Sequence, residues 1–147
     1  MRTLVRFLLL GIAASLLIAA VAVAGTPDSS DSDKPLTNQT IHGLVRDIAC
    51  PLQNHGSTAR RFNRECALQC ARRGSPLAVL TDDGTMYIPM SDSMPDTDQR
   101  GKLMPFVGKY VAVRGDVYER KGLHSIVIKN IKEDTTVKLQ GDAFQPE

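Results

Sequence analysis

Tryptophan is absent from this 147-residue chain, and the other aromatics are few, with three Tyr and four Phe. Proteins that bind single-stranded nucleic acid stack bases on aromatic side chains over a basic groove. Tyr87, Tyr110 and Tyr118 are the only strand residues that offer such a stacking face. The basic half of that design is missing as well. Lys and Arg number 18 against 16 Asp and Glu, and Arg2 and Arg6 lie at the extreme N-terminus, which leaves 16 of each sign in the remainder. Nucleic acid is therefore not an expected partner. The chain also lacks a phosphate-binding loop, a dinucleotide fingerprint, a C-x-x-C redox pair and a covalent haem signature, so no catalytic motif is identified. Cysteine is sparse too: three are present, and three cannot all pair within one chain.

What is present begins with a hydrophobic run. In MRTLVRFLLLGIAASLLIAAVAVAG, Arg2 and Arg6 precede an uncharged apolar stretch from Phe7 to Ala24, and Ala22-Val23-Ala24 fits the small-x-small rule for signal cleavage. Residues 1–24 read as a secretory signal peptide. The alternative is an uncleaved anchor, because residues 7–24 are close to the shortest length that crosses a bilayer. On either reading the rest of the chain is exported, to the periplasm or beyond, and a membrane contact arises only if the anchor is retained. Residues 25–38, containing TPDSSDSDKPLT, are polar and acidic and read as a flexible linker. Residues 133–147 form a second polar segment, in which Val137, Leu139 and Phe144 are the residues able to dock. One folded unit is expected over residues 39–132.

Within that unit the apolar pattern gives five strands and two helices. IHGLVRDIAC reads as a first strand with a bulge near Gly43, and Pro51 is expected to hold Cys50 extended and end the pairing. NRECALQCARRG has Asn63 as N-cap, Glu65 in the first turn, Arg72 and Arg73 in the last and Gly74 beyond, which predicts a short helix. Leu77 to Leu80 and Met86 to Ile88 form a hairpin around Asp82-Asp83-Gly84. DTDQRGKLMPFVG carries an Asp96/Gln99 capping-box pair and Gly108 as a stop, predicting a second helix. YVAVRGDVYE and HSIVIKNI then alternate as a final strand pair, with Val111, Val113, Gly115 and Val117 on one face and Ile126 and Ile128 on one face.

Strand, helical excursion, two strands, helix and two strands is the order of a small five-stranded OB-like Greek-key barrel, mainly β. GKYVAVRGDVYERKGLHSIVIKNI resembles the closing strands of small exported OB-type domains. A D-x-x-C strand end, a following His, an E-C-x3-C helix and a DG hairpin are together similar to a group of small exported bacterial OB-fold-like domains with a Cys/His insertion. That resemblance implies an exported barrel and brings no activity with it.

The chemistry concentrates in CPLQNHGSTARRFNRECALQC, the first connection of the barrel, which holds all three cysteines. Cys66 and Cys70 stand at i and i+4 on one helical face, and Cys50 and His55 complete a C-x4-H-x10-C-x3-C pattern. Such a set can hold one soft ion, zinc or copper, in a Cys3His site. Arg60, Arg61, Arg64, Arg72 and Arg73 surround it, and the first helical turn holds Cys66; both features are expected to favour thiolate. Met86, Met90 and Met94 recur at intervals of four and are auxiliary soft ligands if the ion is copper(I), or space-filling residues if not. His42 and His124 read as ordinary strand residues.

The alternative is a disulfide-stapled binding or interaction domain without metal, whose partner is another exported protein. Cys66 and Cys70 on a regular helix have Cβ atoms about 5–6 Å apart, too far for a bridge that needs roughly 3.5–4.5 Å. Cys50 with Cys66 or Cys70 closes a loop of roughly 15 to 20 residues, worth on the order of 3 kcal/mol. Thiol redox chemistry is the third reading, without a C-x-x-C motif or a thioredoxin-like strand order to support it.

Overall fold

The computed structural model describes residues 34–54 and 56–140. The expected signal peptide and most of the expected linker, together with His55 and Phe144, lie outside the described residues. Among the described residues no helix is long and apolar enough to cross a membrane.

Five strands close into a barrel: β1 (Leu36–Asp47), β2 (Leu77–Leu80), β3 (Met86–Met90), β4 (Tyr110–Arg120) and β5 (Leu123–Glu133). Their order around the barrel is β1-β2-β3-β5-β4, with β1 also paired to β4. All pairings are antiparallel except β3 with β5. This is the OB-like order expected from the strand pattern, and closure leaves β1 and β4 without open edges along their paired stretches. Helices α1 (Ala49–Gln53) and α2 (Arg64–Arg72) occupy the first connection, and α3 (Arg100–Leu103) continues as a 3-10 turn between β3 and β4.

Inward positions of the strands supply the core. Leu44, Val79, Val111, Val113, Val117 and Ile126 are buried inside the barrel, while Ala59, Phe62, Ala67 and Ala71 of the first connection and Leu103 and Val107 of the second join the same cluster. Fully burying such side chains contributes about 1.5–3 kcal/mol each, and this offsets the cost of ordering the two long connections. Val137 and Leu139 pack against the cluster, and Gln140 bridges Arg61, so the C-terminal segment lies against the cysteine-bearing connection.

Several local expectations change. β1 begins at Leu36 and its irregularity falls between Leu36 and Gln39, where Asn38 has φ 54°. Gly43 instead pairs regularly with Val111, and a Cβ there would lie 2.5 Å from the Leu80 carbonyl oxygen. Close approach of two backbones, rather than a bulge, is what this glycine permits. Cys50 is not extended. It is the second residue of α1, and Pro51 follows in the first turn, where a missing N–H costs no helical bond. The Asp96/Gln99 capping box does not form: Asp96 accepts from the Ser91 backbone N–H at 2.7 Å and from its hydroxyl at 2.8 Å, and α3 starts at Arg100 without a side-chain cap.

Candidate metal centre

Two short helices bring the three sulfurs together, and the same device starts both. At the end of β1, Asp47 Oδ1 accepts the Cys50 backbone N–H at 2.9 Å. At the start of α2, Asn63 Oδ1 accepts the Cys66 backbone N–H at 2.8 Å. Each carboxylate or amide oxygen satisfies an otherwise unpaired donor of a first helical turn, and each sits three residues before the cysteine it fixes. Cys70 follows one turn after Cys66, and Gly74 ends the segment at φ 96°.

Cys50 Sγ lies 3.4 Å from Cys66 Sγ. The sulfurs of Cys50, Cys66 and Cys70 are all within 4.8 Å of one another, half-buried, and none is in a disulfide. Zn–S bonds of about 2.3 Å at tetrahedral angles place sulfurs about 3.8 Å apart. Three cysteines in this arrangement could hold a metal ion. His55 falls outside the described residues; its neighbours Asn54 and Gly56 are joined by a hydrogen bond from the Gly56 N–H to Asn54 Oδ1 at 3.1 Å.

Cys66 and Cys70 are not activated as their surroundings in sequence suggest. Burial, then the neighbouring Cys50 thiol, push the Cys66 thiol from its ordinary 9.0 up to about 12. Burial followed by the Asp47 carboxylate pushes Cys70 upward too. The arginines explain the difference by their positions. Arg61, Arg64, Arg72 and Arg73 are exposed, and Arg60 forks onto Asp82 with its guanidinium over the Tyr110 ring. Solvent screens the exposed cations, while the sulfurs crowd one another.

Below the sulfurs lies a feature that the sequence reading missed. Arg46 and Asp47 are 1% and 0% exposed. Their charged groups approach to 3.6 Å, and Arg46 also donates to the Ser57 hydroxyl and stands over the Phe62 ring. Arg46 Nε and Asp47 Oδ2 have no hydrogen-bond partner among the described residues. The signal was two adjacent opposite charges at the end of an apolar strand, where the alternation puts at least one of them toward the interior.

The remaining predicted ligands are elsewhere. Met86 and Met90 share one face of β3, since the strand runs through both. Met86 packs against the barrel core and Met90 Sδ accepts from the Ser125 hydroxyl at 3.1 Å, while Met94 is 84% exposed. His42 is 3.6 Å from Asp134; His124 is 3.3 Å from Glu119 and tilts against the Tyr87 ring. Tyr110 is buried beneath Arg60 and offers no stacking surface.

Scanned against family models, curated proteins and solved structures, the chain matches none of them.

Proposed function

We propose that this is an exported protein that holds one soft metal ion, zinc or copper(I), through Cys50, Cys66 and Cys70, with His55 as the fourth ligand. One observation carries the reading: three thiols from two separate helices converge within 4.8 Å, close to the spacing that a tetrahedral ion imposes. Burial keeps the Cys66 and Cys70 thiols protonated, yet an ion that displaces thiol protons turns cysteines into strong ligands. The same raised Cys66 pKa weighs against redox chemistry, because exchange requires a thiolate and the best attacking thiol titrates near ambient pH. Export rests on the leader, and the resemblance to small exported OB-type domains rests on motifs.

The disulfide remains the second reading, favoured by the 3.4 Å approach of the Cys50 and Cys66 sulfurs. Such a bridge leaves Cys70 as a free thiol. The substitution series Cys50→Ser, Cys66→Ser, Cys70→Ser and His55→Ala separates the two. Under metal binding each variant lowers the metal stoichiometry of the purified protein. If Cys70→Ser and His55→Ala leave every property unchanged while the other two destabilise equally, the site is a staple.

A further inference from the structure

Beside the sulfurs is a pocket of about 280 Å³ whose lining has an unusual composition. Cys50 and Cys66 form one side, and Arg46, Gln53, Asn54, Ser57 and Asn63 form the rest. Among the described residues every polar lining side chain carries at least one N–H or O–H donor, and no carboxylate lines the pocket. Arg46 is the buried member of this wall, 1% exposed. Among the described residues its guanidinium donates to the Ser57 hydroxyl, approaches Asp47 to 3.6 Å and stands over the Phe62 ring, and Nε has no acceptor. A buried guanidinium with an unpaired donor costs free energy, and a negative oxygen beside the part of Arg46 that lines the pocket would offset some of it.

We propose that this pocket is a binding site for a small organic anion, with a carboxylate at the Arg46 end and an apolar or sulfur-bearing tail against Cys50 and Cys66. Asp47 neutralises Arg46 in net charge, so selection comes from the hydrogen-bond donors of the lining rather than from a strong field. The Ser57 hydroxyl accepts from Arg46 and keeps its own proton to donate. Asn54 Oδ1 is occupied by the Gly56 N–H, which turns its –NH2 toward other acceptors. The volume suits a molecule of a few heavy atoms, at the small end of ligand sites. The two sulfurs supply a polarizable wall for an apolar or thioether tail.

The site requires no metal, and its test is run on the reduced, metal-free full chain, so that its failure is separate from failure of the metal reading. Propionate and its isosteric neutral amide, propionamide, are titrated while the backbone amide resonances of Asn54, Ser57 and Cys66 are followed by NMR. Propionate should give saturable shifts of these amides, and propionamide should bind about tenfold or more weakly, a difference of about 1.4 kcal/mol. Asn54→Asp places a competing carboxylate in the lining while keeping the Oδ1 acceptor for the Gly56 N–H, and should abolish the propionate response while the remaining spectrum is unchanged. Equal binding of acid and amide, a propionate response intact in Asn54→Asp, or no saturable response would each overturn the proposal.

Discussion

Cys50 and Cys66 are fixed by oxygen atoms three residues upstream, and that repeated D-x-x-C and N-x-x-C arrangement preorganises both helices of the first connection. Asn63→Ala removes the α2 cap and should cost about 1 kcal/mol, whereas Asn63→Asp, which keeps an acceptor, should cost little. Urea unfolding of the metal-free protein checks both, and equal stability of the two variants would contradict the capping role. Asp47 has a larger role because it also faces buried Arg46. Asp47→Ala leaves that cation uncompensated and should destabilise by about 3–5 kcal/mol in the same measurement. The three cysteines and Asn63 were legible from spacing and cap chemistry. The burial of Arg46 and Asp47 was not read, although strand alternation points at least one of the two inward, because the covering of both needs the first connection folded over the barrel end. The thiolate expectation failed for a related reason: sequence proximity to arginines says nothing about whether their charges face the sulfurs or the solvent.

Elements with a strong local signature formed as their sequences predict. The hairpin at Gly84, with φ 92°, and the final pair β4–β5, with Lys121 and Gly122 at φ 50° and 78°, rest on turn chemistry and period-two alternation that no distant contact needs to supply. α1 and α3 were different. Five residues containing a proline have no helical signature of their own, and α1 exists because Asp47 meets its first turn. The start of α3 moved because Ser91, five residues before Asp96, claimed the expected capping carboxylate. Strand glycines also carry meaning that only the barrel reveals. A Cβ at Gly115 would fall 2.1 Å from the Val127 carbonyl oxygen. Gly115→Ala should therefore force β4 from β5 and destabilise by about 1–3 kcal/mol or more. Gly74→Ala meets no atom but strains a φ of 96°, and should cost only about 1 kcal/mol. Thermal unfolding of the two variants side by side tests the ranking; a Gly115→Ala protein as stable as the parent would show that the strands separate freely.

For the molecule as a whole, the barrel is a scaffold whose β1 end presents two helices, three thiols and a donor-lined pocket on one side. Its topology was legible because five apolar stretches separated by turn signals leave few closed arrangements. The convergence of Cys50 with Cys66 and Cys70 is non-local and follows from closure of that connection, which spacing alone could only permit. Proton linkage gives a test of the metal-free state. Cys66 titrates higher in the folded protein than in the unfolded chain, so between its ordinary 9.0 and about 12 the folded state holds more protons. Its stabilising contribution is complete below the unfolded value and is lost as pH rises through that window. Urea midpoints of the metal-free protein should fall across this range more steeply than those of Cys66→Ala, and parallel profiles would argue against the raised thiol.

The most direct test of the central claim is elemental mass spectrometry on the purified protein, with a thiol count on the same denatured sample before and after chelation. The three-thiol site predicts about one zinc or copper per chain, with three reduced thiols that become fully reactive once the ion is removed. Protein without metal, with a single reactive thiol and the other two joined in a bridge, would contradict it.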